Sequence, residues 1–164
     1  MHAYDKLPAK LQEKYGLLLI GAKGWLDDEI HNTIIDMRIR GLRVIQPTDY
    51  VEDADLPALY SGASVFTYVS KYEGFGIPPI EAMACGTPVV SSDNSSLPEA
   101  VGDAGLMVNA ADDKAIAKSI ERLLTEPGLV KKQIGRGYEQ IKKFDWDTGA
   151  RKLLETLEAA AKWK

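Results

Sequence analysis

The amino-acid sequence predicts an α/β fold: a Rossmann-like parallel sheet with helices on both faces. Three observations carry this expectation. Apolar runs of strand length alternate with segments of helical period, glycines and prolines fall at the junctions, and 164 residues give one domain room for a sizeable core. Strand–helix–strand alternation calls for right-handed crossovers, which lay the strands parallel and the helices on the sheet faces.

In chain order, Leu17–Ile20 (LLLI) is a short continuous apolar run ending at Gly21 and reads as a strand buried on both faces. Leu26, Ile30, Ile34 and Met37 recur at helical spacing, so a helix runs over 26–39 and stops at Gly41. Leu42–Ile45 is the second strand and Leu56–Ala63 a short helix. Val65–Val69 (VFTYV) is β-branched and aromatic, a third strand. Pro78 and Pro79 open a helix that Gly86 ends, since proline lacks only an amide that a first turn leaves unused. Pro88–Ser91 is the fourth strand, a short helix starts at Leu97–Pro98 with Ser95 and Ser96 as caps, and Leu106–Val108 is the fifth strand. Helical segments over 113–124, 129–142 and 146–161 close the chain. Trp146, Leu153, Leu154, Leu157 and Trp163 form a packing stripe on the last of them.

Hydrophobic residues at 45% and charged ones at 27% describe a chain that folds. A net charge of −4 argues against a nucleic-acid partner, which requires a basic face. It leaves room for a small anion held by backbone amides and local cations. The single cysteine, Cys85, has no disulfide partner, sits beside Ala84 as a packing residue, and fits a reducing compartment. No apolar run reaches the ~20 residues that span a bilayer. The start around His2, Asp5 and Lys6 is polar, unlike a signal peptide. The expectation is cytoplasmic, with no transmembrane segment. His2 and His31 have no ligand partners at metal spacing, so no metal site is expected.

Ligands of such sheets bind beyond the carboxyl ends of the strands. The loop there after the third strand reads Ser70-Lys71-Tyr72-Glu73-Gly74-Phe75-Gly76-Ile77. Its glycines let backbone approach a ligand closely, and the helix that follows turns free amides and a positive dipole end toward it. Such a place suits a phosphate. Glu73 on the loop and Glu81 near the start of the helix flank it, and carboxylates accept hydroxyl hydrogen bonds well. A ligand with a charged middle and hydroxyls at both ends is the match, and a nucleotide diphosphate sugar has that form. Outside this context Glu81 would serve only the helix dipole, and Glu73 would be a solvated charge.

Glu73 and Glu81 with seven residues between them, followed by Ala82-Met83-Ala84-Cys85-Gly86-Thr87-Pro88-Val89-Val90, resemble the signature of family 4 retaining glycosyltransferases of the GT-B fold (group 1 glycosyl transferases). The flanks Leu56–Ala63 and Ser95–Gly102 are similar to the family as well, and the resemblance covers roughly 17–154. Lys23-Gly24-Trp25 resembles the Gly-Trp loop of mannosyltransferases of surface-polysaccharide assembly. The resemblance implies that residues 1–164 form a single nucleotide-sugar-binding domain, one half of a GT-B enzyme. It implies Glu73 as the catalytic-site carboxylate at the donor hexose and Glu81 at the ribose hydroxyls. It places the amides of Gly74, Phe75 and Gly76 near sugar and diphosphate, with Ile77 lining the wall. Backbone around Tyr50 and Val51 would meet the base. A hexosyl group would pass from a GDP- or UDP-linked donor to a glycan or lipid-linked acceptor, with retention and without metal or other cofactor.

Departures from the pattern are also legible. Val69 stands where the family has proline before Ser70. The family's earlier strand and loop, with an Arg and a Lys for the diphosphate, have no match here, nor does its N-terminal acceptor domain; Lys23 and Lys71 are the cations that could stand in. The chain alone is therefore expected to be inactive or nearly so, with the full-length enzyme membrane-peripheral. A non-catalytic nucleotide-sugar-binding module is the alternative.

Overall fold

The computed structural model describes residues 1–21 and 28–163. The Lys23–Gly24–Trp25 loop and Leu26 lie outside the described residues. Two short helices come first, α1 (His2–Asp5) and α2 (Ala9–Lys14), where the sequence suggested only a polar stretch. They form because Ala3 and Tyr4 of α1 are buried, and the Tyr4 hydroxyl donates to the Tyr15 carbonyl at 2.8 Å, tying α1 to the end of α2. Five strands follow: β1 (Leu17–Leu18), β2 (Val44–Ile45), β3 (Phe66–Tyr68), β4 (Val89–Ser92) and β5 (Gly105–Val108). Between and after them come α3 (Asp28–Ile39), α4 (Leu56–Gly62), α5 (Ile77–Ala84), α6 (Leu97–Val101), α7 (Asp113–Thr125), α8 (Pro127–Ile141) and α9 (Trp146–Ala161).

All described strand pairs are parallel, as the alternation requires. They form two sheets: β1 pairs with β2, and β3, β4 and β5 pair in that order. No hydrogen-bonded pairing between described strands joins the two. β4 is central and buried throughout. Its side chains alternate between two cores, as strand geometry dictates. Val90 joins Ile34 and Met37 of α3, Ile116, Ala117 and Leu123 of α7, and Tyr4 of α1. Val89 joins Ala82 and Met83 of α5 with Ala100 and Val101 of α6. Helices therefore cover both faces of this sheet. Burying each valine stabilises the fold by roughly 1.5–3 kcal/mol.

Leu17–Ile20 departs from its reading as a strand buried on both faces. Leu17 and Leu19 pack on the first core, yet Leu18 and Ile20 are each 42% exposed and Ile45 of β2 is 49% exposed. Only one face of the β1–β2 pair is covered by described residues. The stripe on α9 is open in the same sense: Trp146, Leu153, Leu154 and Leu157 are exposed, and the helix has no buried residue. Among the described residues, no helix is long and apolar enough to cross a membrane.

Candidate functional site

Parallel pairing brings the loops after β3 and β4 side by side, because both leave the same end of the sheet. Serines of the second loop then fasten the first. The Ser92 hydroxyl donates to the Ser70 carbonyl at 2.7 Å. The Glu73 amide donates to Ser95 Oγ at 3.1 Å, and the Ser96 hydroxyl donates to the Glu73 carbonyl at 3.2 Å. Ser95 and Ser96 were expected to cap α6. Ser96 does occupy the N-cap, but its side chain makes no capping bond, since it is engaged with Glu73. Ser95 has φ of +50°, a left-handed conformation costly for a residue with a side chain, by about 1 kcal/mol. Its hydroxyl also donates to Asn94 Oδ1 at 3.4 Å, so bonds on both sides hold it there.

The loop ends at Gly76, the N-cap of α5, with φ of +99°. A β-carbon at Gly76 would stand 2.6 Å from Leu97 Cδ2, so this position requires glycine on two counts. Gly74 is different: its φ is not positive and nothing lies within 4 Å of a β-carbon placed there. Helix α5 begins at Ile77, one residue before the prolines, which occupy its second and third positions. Pro78 and Pro79 have no amide hydrogen, so the donors the helix start can offer lie just before them. The amides of Gly74, Phe75, Gly76 and Ile77 take part in no hydrogen bond between described residues. The side chains of Phe75 and Ile77 in this run are exposed, and the Phe75 ring meets Phe144 edge-on, with centroids 5.5 Å apart.

Glu81 lies one turn into α5, exposed, with the Tyr60 hydroxyl donating to its Oε2 at 2.9 Å. Burial, then the hydrogen bond and charge of Glu81, push the Tyr60 phenol well above the ordinary tyrosine range. Burial, then the neighbouring Glu73 carboxylate, raise the Tyr68 phenol too. Phe66 stands between these tyrosines, edge-on to Tyr60 at 5.3 Å and stacked on Tyr68 at 6.0 Å. Each carboxylate of the pair thus has a tyrosine beside it on one aromatic row. Sequence reading missed both tyrosines as site residues. Tyr60 and Glu81 lie 21 positions apart, and no local pattern joins residues across two elements.

Tyr50 and Val51 lie on the loop between β2 and α4, where Tyr50 is exposed and its hydroxyl donates to Asp53 Oδ1 at 3.4 Å. No hydrogen bond between described residues links them to Glu73 or Glu81. Lys71 is exposed on the glycine loop, while Lys23 lies outside the described residues. Cys85 is half-buried at the end of α5. Among the described residues, no three His, Cys, Asp or Glu side chains gather as a metal site. An open groove of about 810 Å³, lined by His2, Asp5, Glu29, Asp36 and Arg40, lies between α1 and α3 and contains none of these site residues. Its walls are joined by the Arg40–Asp5 ion pair at 2.8 Å.

Parallel strands, helices on both faces and an amide-rich loop at the strand ends define a Rossmann-like domain, half of the GT-B glycosyltransferase architecture. The chain belongs to the glycosyl transferases group 1 family, whose family model matches residues 1–140. O-antigen chain mannosyltransferase B of Escherichia coli is 43% identical over 149 residues, which cover 90% of this chain and 38% of that protein. Among solved structures, sucrose-phosphate synthase from Thermosynechococcus elongatus superposes with a TM-score of 0.72 at 31% identity, covering 88% of this chain and 39% of that one. Anabaena Alr3699/HepE in complex with UDP-glucose gives 0.82 at 22% identity, covering 96% and 43%, a likeness of fold. The chain spans about two fifths of the length of these proteins.

Proposed function

We propose that this chain is the donor-binding domain of a retaining hexosyltransferase that draws its sugar from a nucleotide diphosphate sugar. The observation that carries this reading is the arrangement of Glu73 and Glu81 around amides that make no hydrogen bond between described residues, with the Tyr60 hydroxyl on Glu81. In this reading Glu81 accepts the ribose diol, and the amides of Gly74 to Ile77 face the diphosphate. As the glycosidic bond breaks, charge collects on the leaving diphosphate, where fixed amides stabilise it without reorganising. Glu73, held through its backbone by Ser95 and Ser96, contacts the hexose. Backbone around Tyr50 and Val51 meets the base. Transfer proceeds without metal, the loop amides and nearby cations such as Lys71 serving the leaving group.

Kinship with an O-antigen mannosyltransferase supports mannose as the hexose and surface polysaccharide as the product. The complex of HepE with UDP-glucose supports a nucleotide sugar as the ligand. Acceptor recognition, of a glycan or a lipid-linked sugar, belongs to the portion of such enzymes that this chain does not match. We place the whole enzyme in the cytoplasm at the membrane periphery.

Calorimetric titration with GDP, GDP-mannose, UDP and UDP-glucose, with and without EDTA, tests the proposal. The expected result is weak, saturable binding of one nucleotide series, unchanged by chelation. Absence of binding at millimolar ligand would overturn the donor site, and loss of binding in EDTA would overturn metal independence. Product stereochemistry, read by NMR on an active full-length enzyme, tests retention.

A further inference from the structure

We propose that Tyr60 is a positioning residue: its phenol holds Oε2 of Glu81 so that the remaining carboxylate oxygen is presented to the ribose diol. The inference rests on the donor-site reading above and adds a residue that acts through Glu81.

Glu81 is exposed on α5 and has no ion pair among the described residues. An exposed glutamate samples many rotamers, and each rotamer lost on binding weakens the complex. The described hydrogen bond that restrains its side chain comes from Tyr60, at 2.9 Å to Oε2. Tyr60 is itself held at both ends. Its carbonyl accepts a hydrogen bond from Thr87 Oγ1, on the segment entering β4. Its ring stands edge-on against Phe66 of β3, which stacks on Tyr68. The phenol is thus referenced to the central sheet, and through it so is a carboxylate on a separate helix.

The kind of partner matters as much as its position. A lysine or arginine beside Glu81 would neutralise the carboxylate and compete for both oxygens, whereas a phenol donates one hydrogen bond and leaves the negative charge in place. A carboxylate has about four lone-pair sites, so one tyrosine bond leaves capacity for two hydroxyl donors. Hydrogen bonds to an ionised acceptor are the stronger kind, which is what a diol requires. The raised phenol keeps its proton throughout the neutral range, so Tyr60 is always a donor.

The test uses the 164-residue chain as wild type, Tyr60→Phe and Glu81→Gln. Each is titrated with GDP and UDP and with their 2′,3′-dideoxy counterparts. Tyr60→Phe removes one oxygen and keeps the ring contacts with Phe66, and thermal midpoints confirm that all three proteins fold. The expectation is at least a tenfold wild-type preference for the ribo form, lost in Glu81→Gln and reduced several-fold in Tyr60→Phe, with dideoxy affinity unchanged. If Glu81→Gln loses the preference while Tyr60→Phe keeps it in full, the positioning role is overturned and the donor site stands. If Tyr60→Phe weakens ribo and dideoxy ligands alike, the tyrosine is structural only. If the wild type binds neither series, or binds both forms equally, the donor-site reading fails and this inference falls with it.

Discussion

Glu73 and Glu81 belong to one motif but are held in different ways. Glu73 is fixed through its backbone by two serines, and Glu81 through its carboxylate by a phenol. Ser95→Ala is therefore expected to speed hydrogen exchange at the Glu73 amide and to weaken donor binding with little change in global stability. Unchanged exchange at that amide would remove Ser95 from the site. Gly76 permits less. A side chain there meets both a positive φ and Leu97, so Gly76→Ala should destabilise the fold by about 2 kcal/mol, measured by urea unfolding. Gly74→Ala, with open space and no positive φ, should cost less than about 1 kcal/mol. Equal losses at the two glycines would contradict this ordering. From sequence alone these glycines look alike, because nothing local tells which one turns the chain. The carboxylates were legible because their spacing is short and sits within one motif. Tyr60 was not, since its partner is brought to it by the packing of α4 on α5.

At the level of elements, α7 gives the clearest energetic test. Asp112 at its N-cap accepts from the amides of Lys114 and Ala115, both at 3.0 Å, and the helix covers the core below β4 with Ile116, Ala117 and Leu123. Asp112→Ala should cost about 1 kcal/mol in chemical denaturation. Much of the element order from residue 17 onward was readable: α9 spans 146–161 as the sequence predicts, and the other helices after β1 fall within a few residues, because apolar period and glycine or proline stops agree there. The failures have physical causes. Leu17–Ile20 is uniformly apolar, and a run without alternation cannot reveal that one of its faces stays uncovered. Helix α1 is only four residues long, too short for a periodic signal, and owes its form to Tyr4 and Ala3 packing on α7. The serines before α6 carry a capping pattern, but a neighbouring loop claimed their hydroxyls first.

For the molecule as a whole, pH sets a limit through its tyrosines. Tyr4, Tyr60 and Tyr68 all hold their protons more tightly in the fold than in the unfolded chain, with burial as the largest cause in each. Their contribution is complete below the unfolded value of about 10 and is lost as pH rises through the folded values. Denaturation midpoints should therefore fall between pH 9 and pH 11, and less steeply in Tyr60→Phe. Helix α9 is the other feature visible only at this scale. It buries no residue, and Trp146 and Trp163 are 84% and 93% exposed, so removing 146–164 should change stability by less than about 1 kcal/mol. A larger loss, read from the urea midpoint, would mean that the helix contributes more than its contacts suggest.

The edge-on contact between Phe75 and Phe144 gives that outlying helix a connection to the glycine loop. Phe144 sits in the short link between α8 and α9, and Phe75 sits at the crest of the glycine loop. The ring contact therefore joins the residues that lead into α9 to the glycine loop. Phe144→Leu should slacken this tether, seen as faster amide exchange confined to Gly74–Gly76. If exchange there is unaltered, helix and loop move independently. If it quickens, the loop can register whether α9 is engaged.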